Sequence, residues 1–115
     1  MLQSIKHIII DANNPKKLAE FWSKATGLKI LHDYGEFIIL ESNHDFPHIA
    51  VYKVPEKKQS KNRVHLDFRV EDEVAESKRL VKIGGTEISK HGDDNFHWRV
   101  MTDPEGNEFC ISGKW

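Results

Sequence analysis

The sequence reads as an α+β protein built from two tandem βαβββ modules, on the strength of three observations. Sliding the chain by fifty-eight residues lays His7 on His65, Gly27 on Gly85 and Tyr52 on Cys110. A helical pattern fills the space between each histidine and its glycine, twenty residues on. Three short strand-like runs follow each glycine. Self-similarity of this kind outweighs any single motif, because it makes one supersecondary unit the building block of the whole chain.

The elements follow in order. Ile5 to Asp11 alternates with the period of a strand, placing His7, Ile9 and Asp11 on one face and Lys6, Ile8 and Ile10 on the other. Asn13-Asn14-Pro15 supplies a helix N-cap with proline at the first helical position, where its missing N–H costs nothing. Leu18, Phe21, Trp22 and Ala25 then form one apolar helix face, which Gly27 ends as a left-handed C-cap. Leu28 to His32, Glu36 to Glu41 and His48 to Val54 read as strands. Pro55 to Asn62 is polar and basic without apolar period, so it reads as a solvated linker between module one (1–54) and module two (63–115).

Module two opens on Arg63 to Val70, where Val64, Leu66, Phe68 and Val70 alternate with Arg63, His65, Asp67 and Arg69. Asp72 or a neighbour caps a helix through Ile83, with Val74, Ala75, Leu80 and Val81 available for burial. Thr86 to Ser89, Phe96 to Thr102 and Glu108 to Ser112 are the remaining strands. Asp103-Pro104-Glu105-Gly106-Asn107 is a strong turn between the last two, and His91 to Asn95 reads as a polar loop. A sheet with one helix on one face needs cover on the other. Neither half is therefore expected to fold alone.

Composition excludes some function classes. A net charge of −1 gives no field for nucleic acid. The longest apolar run, Ile8-Ile9-Ile10, falls far short of the roughly 20 residues that span a bilayer, and no signal-peptide pattern opens the chain. The single cysteine has no internal disulfide partner. The expectation is a cytoplasmic protein with no nucleic-acid or membrane partner.

Leu18-Ala19-Glu20-Phe21-Trp22 with Gly27-Leu28, Lys61 to Asp67, Trp98, Val100-Met101 and, most specifically, Asp103-Pro104-Glu105-Gly106-Asn107-Glu108-Phe109-Cys110 resemble the glyoxalase/bleomycin-resistance group, also called the vicinal oxygen chelate superfamily, in its glyoxalase-like branch. The resemblance covers nearly the whole chain. It implies a curved mixed sheet enclosing a cleft, with helices outside, and a homodimer. It also implies a divalent ion held by two histidines and two glutamates, open to the vicinal oxygens of a substrate. His7 and His65 match the histidine positions, whereas Tyr52 and Cys110 stand where the carboxylates belong.

That departure shapes the functional expectation. A phenol and a thiol must each lose a proton to become anionic ligands. A divalent metal at His7 and His65 is therefore the less favoured reading, although Cys110 as thiolate would give zinc a His-His-Cys set and Glu108, in phase with it, can swing in. The favoured reading is a small-molecule-binding protein, comparable to resistance proteins that sequester a drug, with His7, Tyr52, His65, Trp98 and Cys110 lining the ligand site and no complete metal set. A glyoxalase-type lyase, isomerase or dioxygenase is the alternative, and a structural or regulatory domain without ligand is the third. Asp11 and Asp67 are placed to orient the histidines, and Cys110 is expected to be buried and inert unless a histidine lowers its pKa.

Overall fold

The computed structural model describes residues 1–113, so Lys114 and Trp115, the end of the expected second module, lie outside the described residues. The chain divides into two units, Met1–Lys57 and Lys58–Trp115. Unit one runs β1 (His7–Ala12), α1 (Pro15–Thr26), β2 (Ile30–Asp33), β3 (Phe37–Leu40) and β4 (His48–Lys53). Unit two repeats the order with β5 (Leu66–Arg69), α2 (Glu73–Lys82), β6 (Thr86–Gly92), β7 (His97–Thr102) and β8 (Glu108–Ser112). Each unit forms a four-stranded sheet, ordered β1-β4-β3-β2 and β5-β8-β7-β6. The first strand lies parallel to the last in both, and the other pairings are antiparallel. This is the α+β, paired βαβββ architecture read from the sequence.

The caps of α1 are those its sequence dictates. Asn14 accepts a hydrogen bond from the Lys17 N–H at 3.2 Å. Pro15 starts the helix, and Gly27, at φ +78°, donates its N–H to the Ser23 carbonyl. Leu18, Ala19, Phe21 and Trp22 are buried on a helix that packs against β1, β3 and β4. Opposite them, Ala12, Ile38, Leu40, Ile49 and Val51 alternate along the strands as the buried side of the sheet. His7, Ile9, Asp11, Phe37, His48, Ala50 and Tyr52 are left on the face without a helix.

In unit two Asp72 caps α2 as expected, accepting from the Ala75 N–H at 3.0 Å. The buried side of the helix differs from the expectation. Val74, Ala75 and Val81 are exposed, while Glu73, Ser77 and Leu80 are buried. The cause is the sheet below. Glu73 accepts from Arg99 at 3.1 Å and pairs with His97 at 2.6 Å, and Ser77 donates to Glu87 at 2.7 Å, which Arg99 also engages. A helix turned to bury the valines would strand the Arg99 guanidinium, at a cost larger than two exposed methyl clusters.

Two strand limits also move. The strand expected from Arg63 begins at Leu66, leaving Val64 77% exposed. Leu66 already pairs with Phe109, the second residue of β8, so no partner strand remains upstream. The Asn62 side chain donates instead to the carbonyls of Val64 and Glu108. At the other limit β6 runs to Gly92, bringing His91 out of the expected loop and into the ladder opposite Trp98. Gly92 makes this hairpin possible: at φ +96°, a Cβ there would lie 2.2 Å from the Phe96 carbonyl oxygen.

Candidate functional site

The helix-free face of unit one carries an aromatic cluster. His7 stands opposite His48 in the parallel ladder, and Tyr52 stands opposite both Asp11 and Phe37. The His7 ring lies 5.6 Å from that of His48 and 6.4 Å, edge-on, from Phe37, which in turn meets Tyr52 at 6.0 Å. Ala50, between His48 and Tyr52 on this face, is fully buried, as it would be with rings leaning over a small residue. His7 and Tyr52, expected to share a site, are thus linked through Phe37. The sequence reading missed Phe37 and His48; their in-phase position beside His7 and Tyr52 was the available signal.

An open recess of about 290 Å³ lies beside this cluster, lined by residues from Ile5 and Lys6 and from Ser42 to His48. His48 belongs to both the recess and the cluster. Its Nδ1 lies 2.8 Å from the Leu40 carbonyl, which can only accept, so that nitrogen carries the proton.

Unit two brings together a different set. Asp67 and Cys110 are ladder partners on β5 and β8, and His65 precedes β5 by one residue. The His65 Nε2 lies 3.3 Å from the Asp67 carboxylate. One ligand atom from each of His65, Asp67 and Cys110 lies within 4.8 Å of the others. Asp67 thus fulfils its expected place beside His65. Cys110 is buried, 8% exposed, and its thiol pKa is pushed up to about 11 by burial, by the neighbouring Asp67 charge and by the hydrogen bond it donates to that carboxylate. In a cysteine nucleophile an imidazole takes the thiol proton. Here the carboxylate stands against the thiol and holds the proton on, so in the absence of a bound cation the sulfur is a protonated thiol and not a nucleophile.

Trp98 lies on the same face, opposite Ser112, two residues along β8 from Cys110. Its ring is already stacked with His91 at 5.3 Å and with Phe96 at 5.6 Å. Glu108 is in phase with Cys110, but Lys61 holds its carboxylate at 2.9 Å and keeps its pKa below the usual range. The linker's Lys61 is therefore tied to β8 by an ion pair while its side chain stays exposed to solvent. The two-imidazole, two-carboxylate set implied by the resemblance does not fit these residues, because Tyr52 and Cys110 occupy the carboxylate positions and Glu108 is engaged.

No curated protein matches the chain. Among solved structures it is similar to a glyoxalase-related enzyme from Fulvimarina pelagi, with 19% identity, 98% of this chain and 89% of that one covered, and a TM-score of 0.76. A glyoxalase/bleomycin resistance protein/dioxygenase family enzyme from Burkholderia phytofirmans PsJN shares 18% identity over 94% and 96% of the two chains at 0.72. The fosfomycin resistance protein FosX from Mesorhizobium loti shares 12% over 100% and 95% at 0.77. At such identities the likeness is one of fold. A family model described as a glyoxalase-like domain matches residues 7–112, and the chain belongs to that family, within the glyoxalase/bleomycin-resistance superfamily.

Proposed function

We propose that this chain is a small-molecule-binding member of its family, with His7, Tyr52, His65, Trp98 and Cys110 contacting the ligand. One observation carries the reading: the residues paired by the repeat, His7 with His65 and Tyr52 with Cys110, lie in each unit on the sheet face that no helix covers. Aromatic bodies with polar tips on such faces suit a small planar compound carrying oxygen or nitrogen acceptors. Its structural neighbours include both resistance proteins and enzymes. The missing carboxylate pair favours binding over metal-dependent lyase, isomerase or dioxygenase chemistry of the family type.

On this reading the chain acts as one domain, as a cytoplasmic homodimer. The half-exposed Ile9 and Tyr52 on the open face of unit one support an assembly that covers them. No helix among the described residues is long and apolar enough to cross a membrane. A thermal-shift screen of metabolites and aromatic antibiotics tests the binding, since a bound ligand stabilises by about 3 kcal/mol at a hundredfold excess over its dissociation constant. Hits should lose their shift in a His65→Ala, Trp98→Ala double variant. Equal shifts in both proteins would place the ligand elsewhere, and a screen without hits would favour the ligand-free domain.

A further inference from the structure

We propose that unit two contains a three-donor site for a thiophilic divalent cation of the zinc class, made by His65, Asp67 and Cys110 and independent of His7 and Tyr52. The site shares His65 and Cys110 with the small-molecule reading but needs no organic ligand. It also differs in kind from the cage implied by the resemblance, because its carboxylate comes from the first strand of the module and not from the last.

The backbone supplies the arrangement. Parallel pairing sets Asp67 directly beside Cys110, and the imidazole of His65, one residue before β5, reaches the Asp67 carboxylate. The nitrogen, oxygen and sulfur donors already lie within 4.8 Å of one another, and His65 and Asp67 are in contact at 3.3 Å. Zinc ligands at roughly 2.0–2.3 Å from the ion sit about 3–4 Å apart in a tetrahedron, so small rotations of two side chains close the set. Both of those side chains are at least half exposed, whereas buried Cys110 is the fixed point and releases its thiol proton to solvent as the ion binds.

The donor set also selects the ion. One sulfur, one imidazole and one carboxylate suit zinc or cobalt far better than magnesium or calcium, which require oxygen. Three protein ligands leave a fourth position open, as in catalytic rather than structural zinc sites. Lys61, the nearby cation, is held off by Glu108 at 2.9 Å, so it neutralises a carboxylate outside the set.

Cobalt(II) added to the intact, tag-free chain is the direct test, because a thiolate on cobalt gives an intense near-ultraviolet charge-transfer band that nitrogen and oxygen ligands do not. One equivalent should produce the band, and zinc should bleach it. Cys110→Ser should abolish it, and Asp67→Asn, at a surface position where folding is not at stake, should weaken cobalt binding at least tenfold. His7→Ala should leave both band and affinity unchanged. Absence of the band in the parent chain, or an unaltered affinity in Asp67→Asn, would overturn the proposal. Loss of binding in His7→Ala would overturn it as well, by assigning the ion to a cage of the family type. Ligand hits in the thermal screen without cobalt binding would sink this site alone, and cobalt binding without hits would sink only the small-molecule reading.

Discussion

Beneath α1 the sheet of unit one offers Ile38, Leu40, Ile49 and Val51, and the helix answers with Leu18, Phe21 and Trp22, all buried. Beneath α2, in the same place of the same topology, Glu73 and Ser77 meet Arg99 and Glu87, with Leu80, Met101, Phe109 and Ile111 as the apolar remainder. The open faces diverge as well. Unit one presents His7, Phe37, His48 and Tyr52 as touching rings; unit two presents an imidazole, a carboxylate and a thiol. Duplication has conserved hydrogen-bonded connectivity, which any residue with the right local preference can make. Side-chain chemistry on both faces has been free to change.

The largest consequence is expected in the apolar unit. Phe21→Ala removes a fully buried ring and should cost about 4 kcal/mol in urea unfolding. A loss below about 1 kcal/mol would mean that the contact between α1 and its sheet is not what stabilises unit one. The polar unit should behave differently under the same treatment. Glu73→Ala leaves Arg99 with Glu87 alone and should cost about 2–3 kcal/mol, while a Glu73→Leu, Arg99→Met double variant should recover most of that loss. Recovery would show that the pair sets the rotation of α2 without adding net stability. A double loss as large as that of Glu73→Ala would show that the pair stabilises the unit outright.

Connectivity was therefore legible in the sequence, and chemistry only in part. The fifty-eight-residue offset, the caps at Pro15 and Gly27 and the turn at Asp103 are local signals, and each reappears in the structure. Asp103 even closes that turn by itself, accepting from the N–H groups of Glu105 and Asn107. The rotation of α2 was not legible. Val74 and Val81 carry the stronger apolar signal, and only the tertiary position of Arg99 reverses it. The pairing of Asp67 with Cys110 was equally hidden, because ladder register depends on two strands more than forty residues apart. His7, Tyr52 and Cys110 were correctly read as strand-face residues and His65 falls one residue short of its strand, yet their neighbours Phe37, His48 and Asp67 decide what each can do.

Alkaline pH separates the two open faces further. Cys110 has a folded-state pKa raised from 9.0 to about 11, so its contribution is complete below the unfolded value and is lost as pH rises through the folded one. The stability of the parent chain should fall by up to about 2 kcal/mol more than that of Cys110→Ala between pH 9 and pH 11. Asp67→Asn should shrink this difference, since the carboxylate charge and the hydrogen bond it accepts follow burial among the causes. Identical profiles for the parent chain and Asp67→Asn would show that Asp67 and Cys110 are not neighbours in solution, and the arrangement of unit two's open face would have to be redrawn.

The smallest expected effect lies at the two helix starts. Asn14 and Asp72 cap α1 and α2 with similar geometry, accepting from the third residue's N–H at 3.2 and 3.0 Å, so replacing either by alanine should cost about 1 kcal/mol. Their electrostatics differ. Asp72 places a full negative charge at the positive end of the helix dipole, whereas Asn14 is neutral and α1 has no acid in its first turn. Salt screens the charge–dipole attraction but not the hydrogen bond. Raising ionic strength should therefore reduce the cost of Asp72→Ala by a few tenths of a kcal/mol and leave that of Asn14→Ala unchanged. Glu73 and Glu76 crowd the same helix end, and repulsion from them opposes the attraction that Asp72 gains. If the cost of Asp72→Ala instead grew with salt, repulsion among these three carboxylates would exceed the dipole's pull, and the cap would hold α2 through its hydrogen bond alone.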